Sequence, residues 1–214
     1  PGRFRKVGDV FDANGHALAC AVTDAGGQAF RVAAVPDELR ALADTIEDQL
    51  VRADVLITTG GLSVGQGDTV KEVLAPLGSV RFDAVAMSPG RQLGVGTVEG
   101  TPIFCLPGDP VSAQIAFETF VRPVLRQIAG RTSLHRSSLP ATISEGWHSP
   151  SGKREFVPVY VSGSPSRGYR AEPTTPPGTV RLHGLSEANA IAVVPEDTST
   201  VVAGDTLHCL LLDA

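Results

Sequence analysis

Hydrophobic positions in the first 130 residues follow two alternating spacings. Ala17, Leu18, Ala21, Val22 and Ala25 recur at helical intervals, with Asn14 placed as a cap and Gly26-Gly27 as a stop. Residues 28–35 read as a strand. Asp37 then stands where a cap belongs for a second helix, with Leu39, Leu42, Ile46 and Leu50 on one face. Residues 54–58 form a short apolar run, and a helical pattern spans 69–77. Residues 80–87 alternate as a strand, 94–98 make a shorter one, and 101–106 are almost continuously apolar, as in a central parallel strand. A long helix follows Pro110, using Val111, Ile115, Phe117, Val121, Val124, Leu125 and Ile128. Pro123 should kink it or end its regular part. Helices and strands alternating on short loops predict a three-layer α/β domain with a mostly parallel sheet.

The pattern changes near residue 137. Helical periodicity disappears. Residues 156–161, 190–194 and 206–212 read as short strands divided by turns rich in Gly, Pro and Ser, which predicts a small all-β barrel domain. The expected domains are 1–137 and 138–214.

Composition narrows the function. The 214 residues carry a formal charge of −5, with 42% hydrophobic and 5% aromatic positions, so the core is aliphatic. Clustered Lys and Arg are missing, which argues against a nucleic-acid surface. No apolar run approaches the ~18–20 residues of a membrane span, and no signal-peptide pattern opens the chain. Cys20, Cys105 and Cys209 lie far apart in apolar runs and read as buried free thiols of a cytoplasmic protein. The five histidines have no ligand spacing. Pro1 in place of Met points to a fragment.

Chemistry concentrates in two loops. Thr58-Thr59-Gly60-Gly61-Leu62-Ser63-Val64-Gly65-Gln66-Gly67-Asp68 joins an apolar strand to a helix. Glycines let backbone approach a ligand, and the N–H groups at a helix start attract anions. Asp68 enters the helix either as a cap or as a metal ligand beside a bound phosphate. The second loop, Pro107-Gly108-Asp109-Pro110-Val111-Ser112, repeats the strand–loop–helix order.

Together these loops closely resemble the signature loops of the MoeA/gephyrin-E family, the molybdopterin molybdenumtransferases. The resemblance runs over essentially the whole chain. Residues 1–136 resemble the domain shared with MogA and MoaB proteins. Gly152-Lys153-Arg154-Glu155-Phe156 and Leu185-Ser186-Glu187-Ala188-Asn189 resemble elements of the family's β-barrel tail. The family's two elongated upstream domains have no counterpart in the sequence.

The resemblance implies a reaction: molybdate is inserted into adenylylated molybdopterin and AMP is released, with Mg²⁺ as cofactor. It implies a full-length homodimer and a MogA-like adenylyltransferase as a possible partner. By similarity, Gly60, Gly61, Ser63, Val64 and Gly65 would hold the pterin or its phosphate, joined by Pro107, Gly108, Asp109 and Ser112. Asp68 and Asp37 would be the metal ligands, and Asp68 and Arg91 the catalytic residues. Asp12 and Asn14 match an acidic-x-Asn element, with Asn14 read as a cap. Arg154 would face the cleft from the tail, or pair on the surface with Glu155 or a neighbour.

Three departures set this chain apart. Family lysines correspond to Ala84 and Ser88, leaving Arg91 as the remaining cation, and the usual Asn of the second loop is Asp109. These departures support an alternative: a catalytically impaired paralogue acting as a pterin-binding or scaffold module.

Overall fold

The computed structural model describes residues 7–8, 10–62, 69–179 and 181–212. The chain runs through α1 (Asn14–Asp24), α2 (Leu39–Leu50), β1 (Leu56–Thr59), α3 (Thr69–Leu77), β2 (Gly78–Ala84), β3 (Met87–Ser88), β4 (Gln92–Val98) and β5 (Thr101–Leu106). Helices α4 (Pro110–Ala116) and α5 (Arg122–Ile128) are joined by a π-helical turn, Phe117–Val121. Pro123 follows that turn directly. The long helix is therefore interrupted just before the proline, where a missing N–H and a ring clash would disturb regular bonding.

Strands β1, β5, β4 and β2 form one sheet in that order. The apolar strand β5 is central, as its composition demands. Its side chains alternate between two faces. Phe104 and Leu106 pack with Leu18, Phe117 and Val121 of α1 and the long helix. Ile103 and Cys105 pack with Ile46, Val70 and Leu74 of α2 and α3.

The sheet is mixed rather than mostly parallel. Only β1 and β5 run parallel; β4 is antiparallel to both β5 and β2. The reason is local. Glu99 and Gly100, at φ +50° and +85°, make a two-residue turn between β4 and β5. Two residues can join only antiparallel neighbours.

Residues 28–35 form no strand, although their pattern predicts one. They find no ladder partner among the described residues, and Phe30 and Val32 stand 63% and 40% exposed. The expected strand at 80–87 also divides. β2 ends at Ala84, and Met87–Ser88 pairs instead with Arg154 and Glu155 in the second sheet.

That second sheet holds β6 (Ser138–Ile143), β8 (Arg154–Ser164), β9 (Gly168–Pro173), β10 (Ala190–Val194) and β12 (Thr206–Leu211), with β3 added at its edge. The order β10-β12-β6-β9-β8 returns to β10, so the sheet closes into a small barrel. Closure leaves these five strands no free edge. Strands β7 (Trp147–His148) and β11 (Thr200–Val201) pair separately. The region is not wholly β, because Leu182–Glu187 forms a helical turn and a half, α6. Asn189 follows it and bonds Val161 twice: its Oδ1 accepts from Val161 N–H, and its Nδ2 donates to Val161 O. The amide thus supplies the pairing that a neighbouring strand would.

Arg136 ties the barrel to the helices, and the sequence pattern does not reveal it. Its guanidinium, largely buried, donates to Glu118, to Asp24 and to the Leu212 carbonyl. Those bonds to Glu118 and Asp24 hold its pKa above the ordinary arginine value.

Candidate functional site

Register places the two loops together. Thr59 pairs with Leu106 at the carboxyl ends of parallel β1 and β5, and Gly60 N–H donates to Leu106 O at 3.1 Å. Gly60 and Gly108 then pass backbone to backbone. A Cβ on Gly108 would lie 3.3 Å from Gly60 Cα. Gly60 and Gly61 have φ of +82° and +68°, a left-handed conformation in which a side chain is strained, and Val70 packs against the bare face of Gly61. Ligands in open α/β sheets bind at this end of parallel strands.

The N–H groups of Gly108 and Asp109 donate to no acceptor among the described residues, so the second loop presents donors toward the site. Asp109 is the N-cap of α4: its Oδ1 accepts from Ser112 N–H at 2.8 Å. The resemblance places Asp109 in the ligand cradle, where its carboxylate would stand near an anion. In the fold it is committed to a helix end, the role an asparagine fills equally well. Ser112 is buried, with its backbone and Cβ facing Gly90, so the Ser88–Arg91 turn abuts the second loop.

Asn14 is not a cap. It is the first residue of α1, and its Nδ2 donates to Gly108 O at 2.9 Å. The capping bond comes from Asp12, whose Oδ1 accepts from Gly15 N–H at 2.8 Å. Asp12 also lies 3.7 Å from Arg31. Asp37 caps nothing; Glu38 is the boundary residue of α2, with no side-chain cap bond. Arg91 is exposed, and its carbonyl accepts from Val85 N–H. Arg154 pairs with Glu196 at 2.9 Å, not with Glu155. The Glu196 carboxyl sits below its usual range, through its own backbone N–H first and then Arg154. Glu155 is buried and accepts from Trp147 Nε1 at 2.9 Å.

Ser63, Val64, Gly65 and Asp68 lie outside the described residues. Among the described residues no three His, Cys, Asp or Glu side chains converge to hold a metal, and Asp37 is exposed. The residues that can be described therefore do not by themselves make a Mg²⁺ site.

The described residues also line two clefts. One of ≈ 40 Å³ lies between β3 and the barrel, lined by Ser88, Pro89, Glu155, Thr175 and Thr179 among others. Another of ≈ 270 Å³, lined by α1, α4, Arg136 and the barrel, contains none of the expected site residues. Cys20 borders it and is exposed, contrary to the buried thiol expected. Cys105 and Cys209 are buried, and burial pushes each thiol up to about 11.

A parallel strand pair ending in two apposed glycine loops, beside a closed barrel, defines an α/β domain with a candidate ligand site, joined to a β-barrel. Residues 4–127 match the family described as a probable molybdopterin binding domain, and residues 140–212 match the MoeA C-terminal region (domain IV). The chain belongs to the MoeA family. It is 35% identical over 214 residues to molybdopterin molybdenumtransferase 2 of Mycobacterium tuberculosis, covering 97% of this chain and 52% of that protein. It is 32% identical over 218 residues to the molybdopterin molybdenumtransferase of a Nostoc species, covering 96% and 48%. Among solved structures, the molybdopterin biosynthesis MoeA protein of Pyrococcus horikosii superposes with a TM-score of 0.84 at 27% identity, covering 99% of this chain and 51% of that one. The chain thus spans about half the length of these relatives. No helix among the described residues is long and apolar enough to cross a membrane.

Proposed function

We propose that the chain is the substrate-binding half of a molybdopterin molybdenumtransferase, acting in molybdenum cofactor biosynthesis. The observation that carries this reading is the apposition of Gly60 and Gly108 at the carboxyl ends of β1 and β5. The backbone there is bare, and the Gly108 and Asp109 N–H groups meet no acceptor among the described residues, which suits a phosphorylated pterin. The reaction needs no nucleophilic side chain. The ligand's two dithiolene sulfurs would displace oxide from molybdate, which leaves as water, and water would cleave the pyrophosphate bond to release AMP. The protein's part is to hold the anion, fix its orientation and offer charge to the oxyanion. Gly60, Gly61, Gly108 and Ser112 would form the cradle, with Ser63, Val64 and Gly65 completing it. Arg91 would supply the cationic charge.

Mg²⁺ would be held by Asp68 with Asp37. A two-domain division at residue 137/138, a cytoplasmic location, a full-length homodimer and a MogA-like adenylyltransferase partner belong to the same reading. The impaired-paralogue alternative loses one of its three supports, because the cap accounts for Asp109.

Calorimetry tests the reading. Adenylylated molybdopterin should bind more tightly than free molybdate, because the backbone cradle is present while the cations at positions 84 and 88 are not. Tight molybdate binding with no pterin binding would overturn it.

A further inference from the structure

Asn14 is only 8% exposed, and its side-chain hydrogen bond reaches 94 positions along the chain to the Gly108 carbonyl. Its Oδ1 is buried without a protein partner. Gly108 itself is exposed, so water could satisfy its carbonyl. The bond is therefore not needed to satisfy Gly108. Its consequence is orientation. In a trans peptide the C=O and the following N–H point in opposite directions. Pinning Gly108 O to α1 turns the Asp109 N–H away from α1. That N–H has no acceptor among the described residues. The downstream end of the same peptide is also fixed, since Asp109 accepts from Ser112 N–H through its side chain and from Ala113 N–H through its carbonyl. Gly108 is the one soft joint left between these anchors, and glycine does not hold an orientation unaided.

We propose that Asn14 is a positioning residue: it sets the orientation of the Gly108–Asp109 peptide so that the Asp109 N–H is presented to an anionic oxygen of the ligand. The proposal rests on the phosphorylated-ligand reading above. It assigns Asn14 a role through Gly108, not a contact with the ligand.

The test uses the whole chain, with AMP and inorganic pyrophosphate as probes and backbone amide resonances as the readout. Asn14→Asp keeps the shape and removes the donor; Asn14→Leu keeps the approximate volume and removes both polar groups. Each should retain the wild-type helical content and weaken AMP binding about tenfold, the weight of one charge-assisted hydrogen bond. In both variants the Asp109 amide should lose its ligand-induced shift while the Gly61 amide keeps its own. A purely structural loss would weaken both responses together. An AMP affinity within twofold of wild type, or an unchanged Asp109 response, overturns the proposal. If the wild type binds neither probe, the proposed function fails instead, and the ligand-free Asp109 amide shift decides this inference: no difference between wild type and Asn14→Asp overturns it. Should neither variant fold, the wild type still decides. The Asn14 side-chain amide protons should exchange slowly with solvent, with and without AMP, and rapid exchange would rule out the pin.

Discussion

Gly60 and Gly108 meet without an intervening side chain, 3.3 Å separating Gly60 Cα from where a Cβ on Gly108 would stand. The two positions should respond differently to alanine. Gly60 has φ +82°, so Gly60→Ala should lower the unfolding free energy by about 1–2 kcal/mol. Gly108 carries no such strain, and Gly108→Ala should cost less than about 1 kcal/mol in stability. Its methyl would intrude between the loops, and AMP affinity should fall about tenfold, as for a lost charge-assisted bond. Urea unfolding and calorimetry separate the two effects. Wild-type affinity in Gly108→Ala would mean that the loops do not share a ligand.

Asp109 can be split into cap and charge. Asp109→Ala removes the bond to Ser112 N–H and should destabilise the fold by about 1 kcal/mol. Asp109→Asn keeps the cap and should leave stability within about 0.5 kcal/mol while removing a carboxylate beside the proposed anion. Combined with Ser88→Lys and Ala84→Lys, and joined to the upstream domains of a relative, it should lower the half-saturating molybdate concentration by more than about tenfold. An unchanged half-saturation would show that these positions do not line the oxyanion site.

Arg136 should matter for stability far more than its place in a connecting segment suggests. Arg136→Met leaves the Glu118 carboxylate buried, with Arg122 at 3.5 Å as its remaining cation, and strips a donor from Leu212 O. Breaking a buried pair on one side costs about 3–5 kcal/mol, with the lower end expected because Arg122 stays. Chemical denaturation measures it. A cost below about 1 kcal/mol would make Arg136 an ordinary surface arginine.

The buried thiols should make stability fall in alkali. Cys105 is raised from 9.0 to about 11 by burial, and Cys209 likewise to about 11. The native state thus holds protons that the unfolded chain releases. Stability is complete below pH 9, declines as pH rises toward 11 and levels off beyond. Urea midpoints across that range should fall in the wild type and fall less in Cys105→Ala. At pH 8 Cys20 should react quickly with a disulfide reagent, while Cys105 and Cys209 react only on unfolding. Rapid reaction of all three would contradict the burial.

Much of the architecture is readable along the chain because it is local. α1, the long helix after Pro110 and the central strand β5 carry their own periodicity. The glycine loops announce themselves by composition and by their position between strand and helix. The turn at Glu99-Gly100 is equally local, because two residues between strands can join only an antiparallel pair. Asp109 lies three residues before the N–H it caps, so that bond too is written in the sequence.

Other features depend on partners the sequence does not specify. Residues 28–35 have the alternation of a strand but no ladder, and alternation without a partner leaves Phe30 and Val32 in solvent. Met87 and Ser88 look like the continuation of β2, yet they join a barrel strand 67 positions away, Met87 opposite Arg154. Asn14 has the composition of a cap but reaches Gly108, because folding brings the start of α1 to the end of β5. Arg136 reads as a linker residue and becomes a buried junction of two helices and the barrel. The sequence by itself determined most of the elements, the two loops and the family. Tertiary structure alone decided which groups share a hydrogen bond across the chain, since a donor and an acceptor far apart in sequence have no relationship until packing sets the distance between them.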